Sequence, residues 1–224
     1  MKISSSQALP WHLQLLARMK CHFFLKGFGI TIFMWVFFAG YFYVLKHPLF
    51  PVTEMPLTML DDAVEFKPGT LFLYVSLWLY VSLPPALQAN RHDLIYYGVA
   101  IGILCITGLA FFLFWPTAVP VAHIDWLHHY GFSILKGVDA SGNACPSLHV
   151  ATAVFSGVWL NRILREINAP RALRAFNWLW CVGIVYSTLA TKQHVALDML
   201  AGAVLGLAAA FLSLKLFRSN DLAR

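Results

Sequence analysis

The amino-acid sequence predicts an all-α, polytopic membrane protein that folds as a bundle of six transmembrane helices. Three features support this prediction: an apolar composition, six recurring apolar stretches, and an uneven distribution of basic residues between the connecting segments. Of the 224 residues, 59% are hydrophobic and only 12% are charged. Soluble proteins have about a quarter of their residues charged, so a lipid bilayer is the expected solvent.

The predicted membrane spans are the six apolar stretches. Several are shorter than the ~20 residues that a helix needs to cross a bilayer, and the fourth and fifth are the shortest. One helix over the last two stretches would be far longer than a bilayer is thick, so the chain is expected to turn within 190–194. In chain order the stretches are 28–45, 70–87, 94–115, 147–163, 176–190 and 195–214.

The chain divides into three predicted parts. Residues 1–27 form a cytoplasmic or interfacial segment, residues 28–217 form the membrane domain, and residues 218–224 form a cytoplasmic tail. Within the first part, residues 9–26 combine apolar side chains with the basic residues Arg18, Lys20 and Lys26, which is typical of an amphipathic helix lying at the membrane surface. No small-residue cleavage site follows the first span, so we expect it to remain as an anchor.

Basic residues indicate the orientation, because Lys and Arg beside the spans remain on the cytoplasmic side. With a cytoplasmic N-terminus, the external side holds only Lys46, Lys67, Lys136 and Lys192 of the 16 Lys and Arg residues. Both termini are then cytoplasmic in a multi-pass plasma (inner) membrane. Histidines are concentrated on the opposite side, at His47, His123, His128, His129, His149 and His194. Polar chemistry is therefore expected at the periplasmic or exterior face.

The composition also argues against two other kinds of site. The net charge of +6 is not accompanied by clusters of basic and aromatic residues, so no nucleic-acid partner is expected. The four cysteines, Cys21, Cys105, Cys145 and Cys181, lack the paired spacing of metal ligands. We predict structural thiols, no metal and no cofactor.

The first motif lies where an external loop meets the fourth span, in the run Asn143-Ala-Cys-Pro-Ser-Leu-His149. Proline favours the first turn of a helix, which places Ser147 and His149 in that turn. Free backbone N–H groups and the positive end of the helix dipole make such a turn a site for an anion such as phosphate. A structural alternative is that His149 only hydrogen-bonds a neighbouring carbonyl.

The second motif runs from Ser187 to Asp198 and contains His194. His194 and Asp198 are four residues apart, so on a helix they share one face. The carboxylate can then bond one imidazole nitrogen and leave the other free to attack. An aspartate in lipid costs ~3 kcal/mol, which favours a functional role, although a structural hydrogen bond between helices is the alternative.

Both motifs lie at external ends of spans, so a compact bundle would bring His149 and His194 to opposite sides of one small anion. Together, Pro146 to His149 and Ser187 to Asp198 resemble the second and third signatures of the type 2 phosphatidic acid phosphatase superfamily. The resemblance implies that His194 becomes a phosphohistidine, Asp198 orients it and His149 protonates the leaving group. It also implies that Ser147 and Ser187 hold phosphate oxygens.

The sequence departs from that superfamily in two places. Residues 113–121 lack the basic residues of its first signature, and Thr188 stands where the third signature has arginine. A phosphoryl-transfer site needs positive charge, and Lys192 is the first candidate to provide it. Lys136, His123, His128 and His129 are alternatives, although an interfacial role is equally open for the His128-His129 pair.

Three functions remain open. The first is a phosphatase acting on a lipid phosphate or diphosphate. The second is a phosphotransferase that passes a phospho-headgroup to an alcohol; residues 65–68 and 114–116 resemble the branch that contains inositol phosphorylceramide synthases. The third is a transporter in which His149, His194 and Asp198 form a proton relay. No internal repeat of the kind found in many transporters supports the third function.

Overall fold

The computed structural model describes residues 9–121 and 142–222, and most of these residues are helical. The only paired strands among these residues are β1 and β2, of two residues each. A short 3-10 turn, Pro68–Thr70, precedes α4. The elements are α1 (Trp11–Lys20), α2 (Phe23–Lys46), β1 (Thr53–Glu54), α3 (Met59–Ala63), α4 (Leu71–Val75), α5 (Leu77–Ala86), α6 (Arg91–Phe114), β2 (Thr117–Ala118), α7 (Leu148–Glu166), α8 (Arg171–Ala190) and α9 (Ala196–Leu222).

Each predicted apolar stretch coincides with helix, but several helices extend further than the apolar stretch. α2 and α8 each begin five residues before the predicted start, and α9 continues past residue 214. Hydropathy marks the part of a helix that suits lipid, whereas the helix itself continues into polar residues until a backbone signal ends it. α8, for example, begins directly after Pro170.

The predicted turn within 190–194 is confirmed, since α8 ends at Ala190 and α9 begins at Ala196. The Thr188 carbonyl accepts hydrogen bonds from the backbone N–H groups of Gln193 and His194, both at 3.1 Å. Lys192 adopts a φ of 55°, the left-handed conformation that glycine usually provides at a helix end. The turn therefore has the geometry of a helix C-cap although the sequence has no glycine there.

Four helical stretches are long and apolar enough to cross a membrane, judged by length and composition. They are Phe23–Lys46, Pro68–Ala86, Arg91–Phe114 and Ala196–Phe217. The other two long helices of the described chain, α7 and α8, fall outside this group. The nearly all-α fold is thus confirmed, with four candidate membrane spans among the described residues, while a bundle of six transmembrane helices remains a prediction.

α7 lies at the centre of the bundle and packs against α5, α6, α8 and α9. Its side chains contribute to both large apolar clusters, and Phe155, Trp159 and Ile163 are fully buried. Its neighbours also satisfy its polar groups: the Asn177 amide of α8 donates to the Gly157 carbonyl, and the Trp159 indole donates to Ser213 of α9. α7 is therefore the element against which the others are positioned.

The connection between α2 and α3 is tied to the connection that follows α6 by backbone hydrogen bonds. β1 and β2 pair in parallel, with Thr53 opposite Thr117. The buried Thr117 accepts the Ala144 N–H at its carbonyl and the Cys145 N–H at its hydroxyl. These bonds fix the loop that leads into α7, and therefore the first turn of that helix.

Two glycines allow α9 to approach α7 very closely. A methyl group added at Gly202 would overlap the Ser147 carbonyl, and one added at Gly206 would overlap the Ala151 carbonyl. Residues four apart lie on one face of a helix, and small residues at this spacing let helix backbones pack closely in membranes. The two helices that carry the motif residues are thus in direct backbone contact.

We predict that Gly206→Ala lowers the stability of the protein by about 1–3 kcal/mol, because the added methyl group forces the two backbones apart. Gly27→Ala on α2 is the matched control, since an added methyl group there meets nothing within 4 Å. Thermal unfolding in detergent would measure both variants. A Gly206→Ala protein as stable as the control would contradict the close packing.

Candidate active site

His194 and Asp198 form a hydrogen-bonded pair at the start of α9. His194 Nδ1 lies 3.2 Å from Asp198 Oδ2. The Asp198 side chain is fully buried, and its second oxygen, Oδ1, has no hydrogen-bond partner among the described residues. A buried carboxylate needs a compensating partner, and His194 is the partner it has. This bond fixes the imidazole so that Nε2 is its other reactive nitrogen.

His149 lies in the first turn of α7, where Tyr74 of α4 holds it on one face. The two rings are stacked, with centroids 4.0 Å apart and planes inclined by 21°. A hydrogen bond also joins the His149 ring to the Tyr74 backbone. His149 Nε2 is buried and has no hydrogen-bond partner among the described residues. Buried polar atoms in proteins are usually hydrogen-bonded, so a catalytic or binding role is one explanation for this nitrogen.

The structure brings the two histidines together. The ring centroids of His149 and His194 are 6.3 Å apart, with an interplanar angle of 54°. A hydrogen bond spans about 2.7–3.2 Å between heavy atoms, so one tetrahedral anion can contact a nitrogen of each ring. The two motifs therefore meet at one point, as their positions at helix ends predict.

Ser147 joins the two motifs through its backbone and caps α7 with its side chain. Its N–H donates to the Asp198 carbonyl at 3.0 Å, and its hydroxyl oxygen accepts the Val150 N–H at 3.2 Å. Because the hydroxyl acts as acceptor in that bond, its O–H can still donate to an oxygen. Ser147 is thus placed between the two helix starts, next to the His194-Asp198 pair.

Ser187 and Lys192 are engaged elsewhere. The Ser187 hydroxyl donates to the Ile184 carbonyl of its own helix at 2.6 Å. The Lys192 ammonium donates to the carbonyls of Asp61 and Val64 in the segment around α3. An ammonium has three N–H donors, so one remains after these two bonds. Direct contact of either residue with phosphate stays a prediction. His123, His128, His129 and Lys136 lie outside the described residues.

Asp61 is a buried acid that sequence reasoning missed. One carboxylate oxygen accepts the Ala196 N–H at 2.8 Å, which caps α9 from a distant part of the chain. The other oxygen accepts the N–H and O–H of Thr58, each at 2.8 Å, and forms a capping box on α3. Lys192 donates to the Asp61 carbonyl and Ala196 donates to the Asp61 carboxylate, so Asp61 bonds the chain both before and after His194. The Thr58-x-x-Asp61 spacing signals the capping box, but nothing local signals the contact with α9.

An apolar cavity of about 360 Å³ opens at the two histidines. At this end its walls include Tyr74, Asn143, His149, Thr152 and His194, and the rest of its lining is overwhelmingly apolar. A binding site for a small molecule is commonly an apolar pocket with a few polar groups that fix orientation. This cavity has that character, with its polar groups at one end.

The thiol of Cys145 is a further nucleophile type near Asp198. Burial, reinforced by the nearby Asp198 charge, raises the pKa of the Cys145 thiol to about 11. The thiol is therefore protonated near neutral pH and is not a reactive thiolate. Within residues 9–121 and 142–222, no group of three or more His, Cys, Asp or Glu side chains could hold a metal ion.

The fold and the paired histidines define a class: a helical membrane protein with a His-Asp pair facing a second histidine at the mouth of an apolar cavity. A model of the PAP2 superfamily matches residues 93–221, which is more than half of the chain. The chain belongs to this superfamily, and its membership supports a phosphoryl-transfer enzyme, whether phosphatase or phosphotransferase. No curated protein and no solved structure matches the chain.

We predict that Asp61→Ala destabilises the protein by about 1 kcal/mol and lowers activity, because α9 loses its cap and the His194 turn loses an anchor. Asp62→Ala is the matched control, since the neighbouring acid is exposed. Unfolding in detergent and phosphate release would be measured on both variants. Equal behaviour of the two variants would show that the Asp61 carboxylate does not support the site.

Proposed function

We propose that this protein is an integral membrane phosphatase that removes phosphate from a lipid phosphate or diphosphate through a phosphohistidine on His194. The observation that supports this proposal is the 6.3 Å separation of the His149 and His194 rings, with Asp198 bonded behind His194. One ring is then available to attack phosphorus and the other to serve the leaving group. The apolar cavity at the same place supports a lipid substrate.

The proposed reaction has two steps. In the first, a lone pair of His194 Nε2 forms a bond to phosphorus while the bond from phosphorus to the lipid oxygen breaks, and a proton on His149 passes to that oxygen. In the second, a water oxygen attacks phosphorus, the N–P bond breaks, and a proton of the water passes to His149. The products are a lipid alcohol and inorganic phosphate, and both histidines return to their starting states. No metal or cofactor takes part.

Positive charge and N–H donors must stabilise the oxygens of the transferring phosphoryl group. The first turn of α7 offers N–H groups and the positive end of its dipole, and Ser147 offers its O–H. Lys192 contributes a charge close to the His194 turn and one N–H beyond its two carbonyl bonds. Ser187 takes part only if its hydroxyl leaves the Ile184 carbonyl.

Transfer to an alcohol is the second candidate function, because an alcohol in place of water in the second step gives a phosphotransferase. Incubation of labelled lipid donor with and without alcohols separates the two, by release of free phosphate or formation of a new lipid. A substrate panel would contain phosphatidate, phosphatidylglycerophosphate, polyprenyl diphosphate and sphingoid phosphates. A proton-coupled carrier would form neither product, and vanadate would not block it.

We further propose six spans, with both termini cytoplasmic and the site at the external face of the plasma (inner) membrane. α7 and α8 would be the fifth and sixth spans, beside the four apolar ones. Polar side chains of these two helices are buried and bond other helices instead of water. Asn177 of α8, for example, accepts the Tyr80 hydroxyl at 2.7 Å and donates to Gly157. Buried polar groups that bond between helices are compatible with a bilayer.

We predict that His194→Ala abolishes phosphate release and that His149→Ala and Asp198→Asn each lower it about a hundredfold or more. His47→Ala is the control, because this exposed histidine does not line the cavity and its ring contacts Tyr43, through the carbonyl and the aromatic ring. Trapping of labelled phosphate on the protein would test the intermediate directly. Full activity of the His194→Ala variant would refute the proposal.

The orientation is testable with single cysteines in a variant without the four native ones. We predict that Leu57→Cys, before α3, reacts with a membrane-impermeant thiol reagent on intact cells. Asn168→Cys, between α7 and α8, should react only after the membrane is permeabilised. The reverse pattern, or equal labelling of both positions, would overturn the proposed arrangement.

A further inference from the structure

The cavity at the two histidines extends far from them along the bundle. One wall is a continuous stripe of α2, with residues at three- and four-residue intervals between Lys26 and Phe42, which is one face of a helix. The opposite walls come from α5 and α6, including Val81, Pro85 and Ile95. The cavity is therefore a long groove between helices, with polar groups at the histidine end and Lys26 at the other.

We propose that this groove binds one long, linear hydrocarbon chain of the substrate lipid and selects substrates by the length of that chain. This inference rests on the proposed function, because the phosphate of the same lipid would lie between His149 and His194. The occupant is indicated by continuity: among the described residues, the two imidazoles and the apolar side chains of α2, α5 and α6 line one and the same cavity.

The length of the groove follows from helix geometry. Asn143, which lines the histidine end of the groove, donates to the Tyr41 carbonyl of α2. Tyr41 therefore marks the position along α2 that lies beside the two histidines. Fifteen residues separate Tyr41 from Lys26, which corresponds to about 22 Å at 1.5 Å per residue. Half of a hydrocarbon core of ~30 Å is ~15 Å, so the groove reaches beyond the middle of the bilayer.

A chain that fills this length is long. An extended polypeptide advances ~3.5 Å over three backbone bonds, or ~1.2 Å per bond, so about 18 bonds span 22 Å. The volume of about 360 Å³ is near the lower end of the ~300–1,000 Å³ typical of small-molecule pockets. A narrow groove of this length suits a single chain better than the two chains of a diacyl lipid.

Lys26 closes the far end. Its buried ammonium donates to the carbonyls of Arg18, Ala86 and Gln88, at 2.6, 2.9 and 2.8 Å, so all three of its donors are used. These bonds join α1, α2 and the end of α5 across the base of the groove. A hydrocarbon chain that reaches this point meets a polar junction with no donor to spare, which sets an upper limit to its length.

Two glycines in the groove provide a direct test. Gly29 of α2 and Gly98 of α6 both line it, and an added methyl group at either meets nothing within 4 Å. A leucine at either position would fill the distal part of the groove without overlapping a neighbour at its first carbon. Gly27 is the matched control, because it is equally open but does not line the groove.

The experiment compares octyl phosphate with octadecyl phosphate, at equal mole fraction in detergent micelles, on the wild type and the variants Gly29→Leu, Gly98→Leu and Gly27→Leu. Gly29 lies 12 residues from Tyr41, about 18 Å away, whereas an octyl chain extends only about 10 Å. We expect Gly29→Leu and Gly98→Leu to lower kcat/KM for octadecyl phosphate about tenfold. The added leucine side chain would occupy space in the groove that the end of the octadecyl chain needs. Octyl phosphate should change by less than about twofold, and Gly27→Leu should leave both substrates unchanged.

The outcomes separate the groove from the reaction. The inference is supported if Gly29→Leu and Gly98→Leu lose turnover of octadecyl phosphate but keep turnover of octyl phosphate, while Gly27→Leu keeps both. If the groove variants treat both chain lengths alike, or behave like Gly27→Leu, the inference is overturned although phosphate release still supports the proposed function. If the wild type remains folded but releases no phosphate from either ester, the proposed function fails. The groove is then tested by binding: the inference is supported if octadecyl phosphate binds the wild type but not Gly29→Leu, and overturned if it binds both equally.

Discussion

The close approach of α9 to α7 is the constraint on which the site depends. Gly202 and Gly206 leave no side chain between the two backbones, so the Ser147 N–H reaches the Asp198 carbonyl directly. That contact places the starts of the two helices side by side. His149 is two residues after Ser147 and His194 is four residues before Asp198, so their separation follows from this one backbone contact.

Two buried acids, Asp198 and Asp61, are each bonded to more than one part of the chain. Asp198 bonds His194 at its side chain and Ser147 at its carbonyl, while Asp61 caps both α3 and α9. A buried polar group without partners costs free energy, so such shared bonds make the arrangement specific as well as stable. Among the described residues, four buried side-chain atoms have no hydrogen-bond partner: Gln88 Nε2, His149 Nε2, Arg174 Nε and Asp198 Oδ1. Two of them, His149 Nε2 and Asp198 Oδ1, belong to the residues of the proposed active site.

The sequence predicted the parts of this structure that depend on local pattern. Apolar stretches located the helices, and the four-residue spacing of His194 and Asp198 predicted their hydrogen bond, which the structure contains. The turn after Ala190 was predicted from the combined length of the last two apolar stretches and from the polar run 191–194 between them. The helices and the turn are set by helix geometry and by the thickness of a bilayer, both of which can be applied to a sequence without knowing the fold. His194 itself lies just before α9, which begins at Ala196, so the two residues are not on one helix and His194 bonds Asp198 from the turn.

Other parts depend on contacts between distant residues and had no local signal. Asp61 and Ala196 are 135 positions apart in sequence. Lys192, whose ammonium donates a hydrogen bond to the Asp61 carbonyl, lies 131 positions from it. Lys192 was assigned to phosphate because it is the basic residue nearest His194, whereas the structure shows that its ammonium also holds the α3 segment. Tyr74 was missed because an aromatic residue in an apolar stretch is usually ordinary core packing.

The central claim is that one tetrahedral anion contacts both imidazoles. A structure of the protein with vanadate bound tests it most directly, because vanadate adopts the five-coordinate geometry of the transferring phosphoryl group. The account predicts a single vanadate between the rings, with vanadium bonded to His194 Nε2 and one of its oxygens hydrogen-bonded to His149 Nε2. Vanadate bound away from His194, or bound there with the His149 ring turned out of reach, would contradict it.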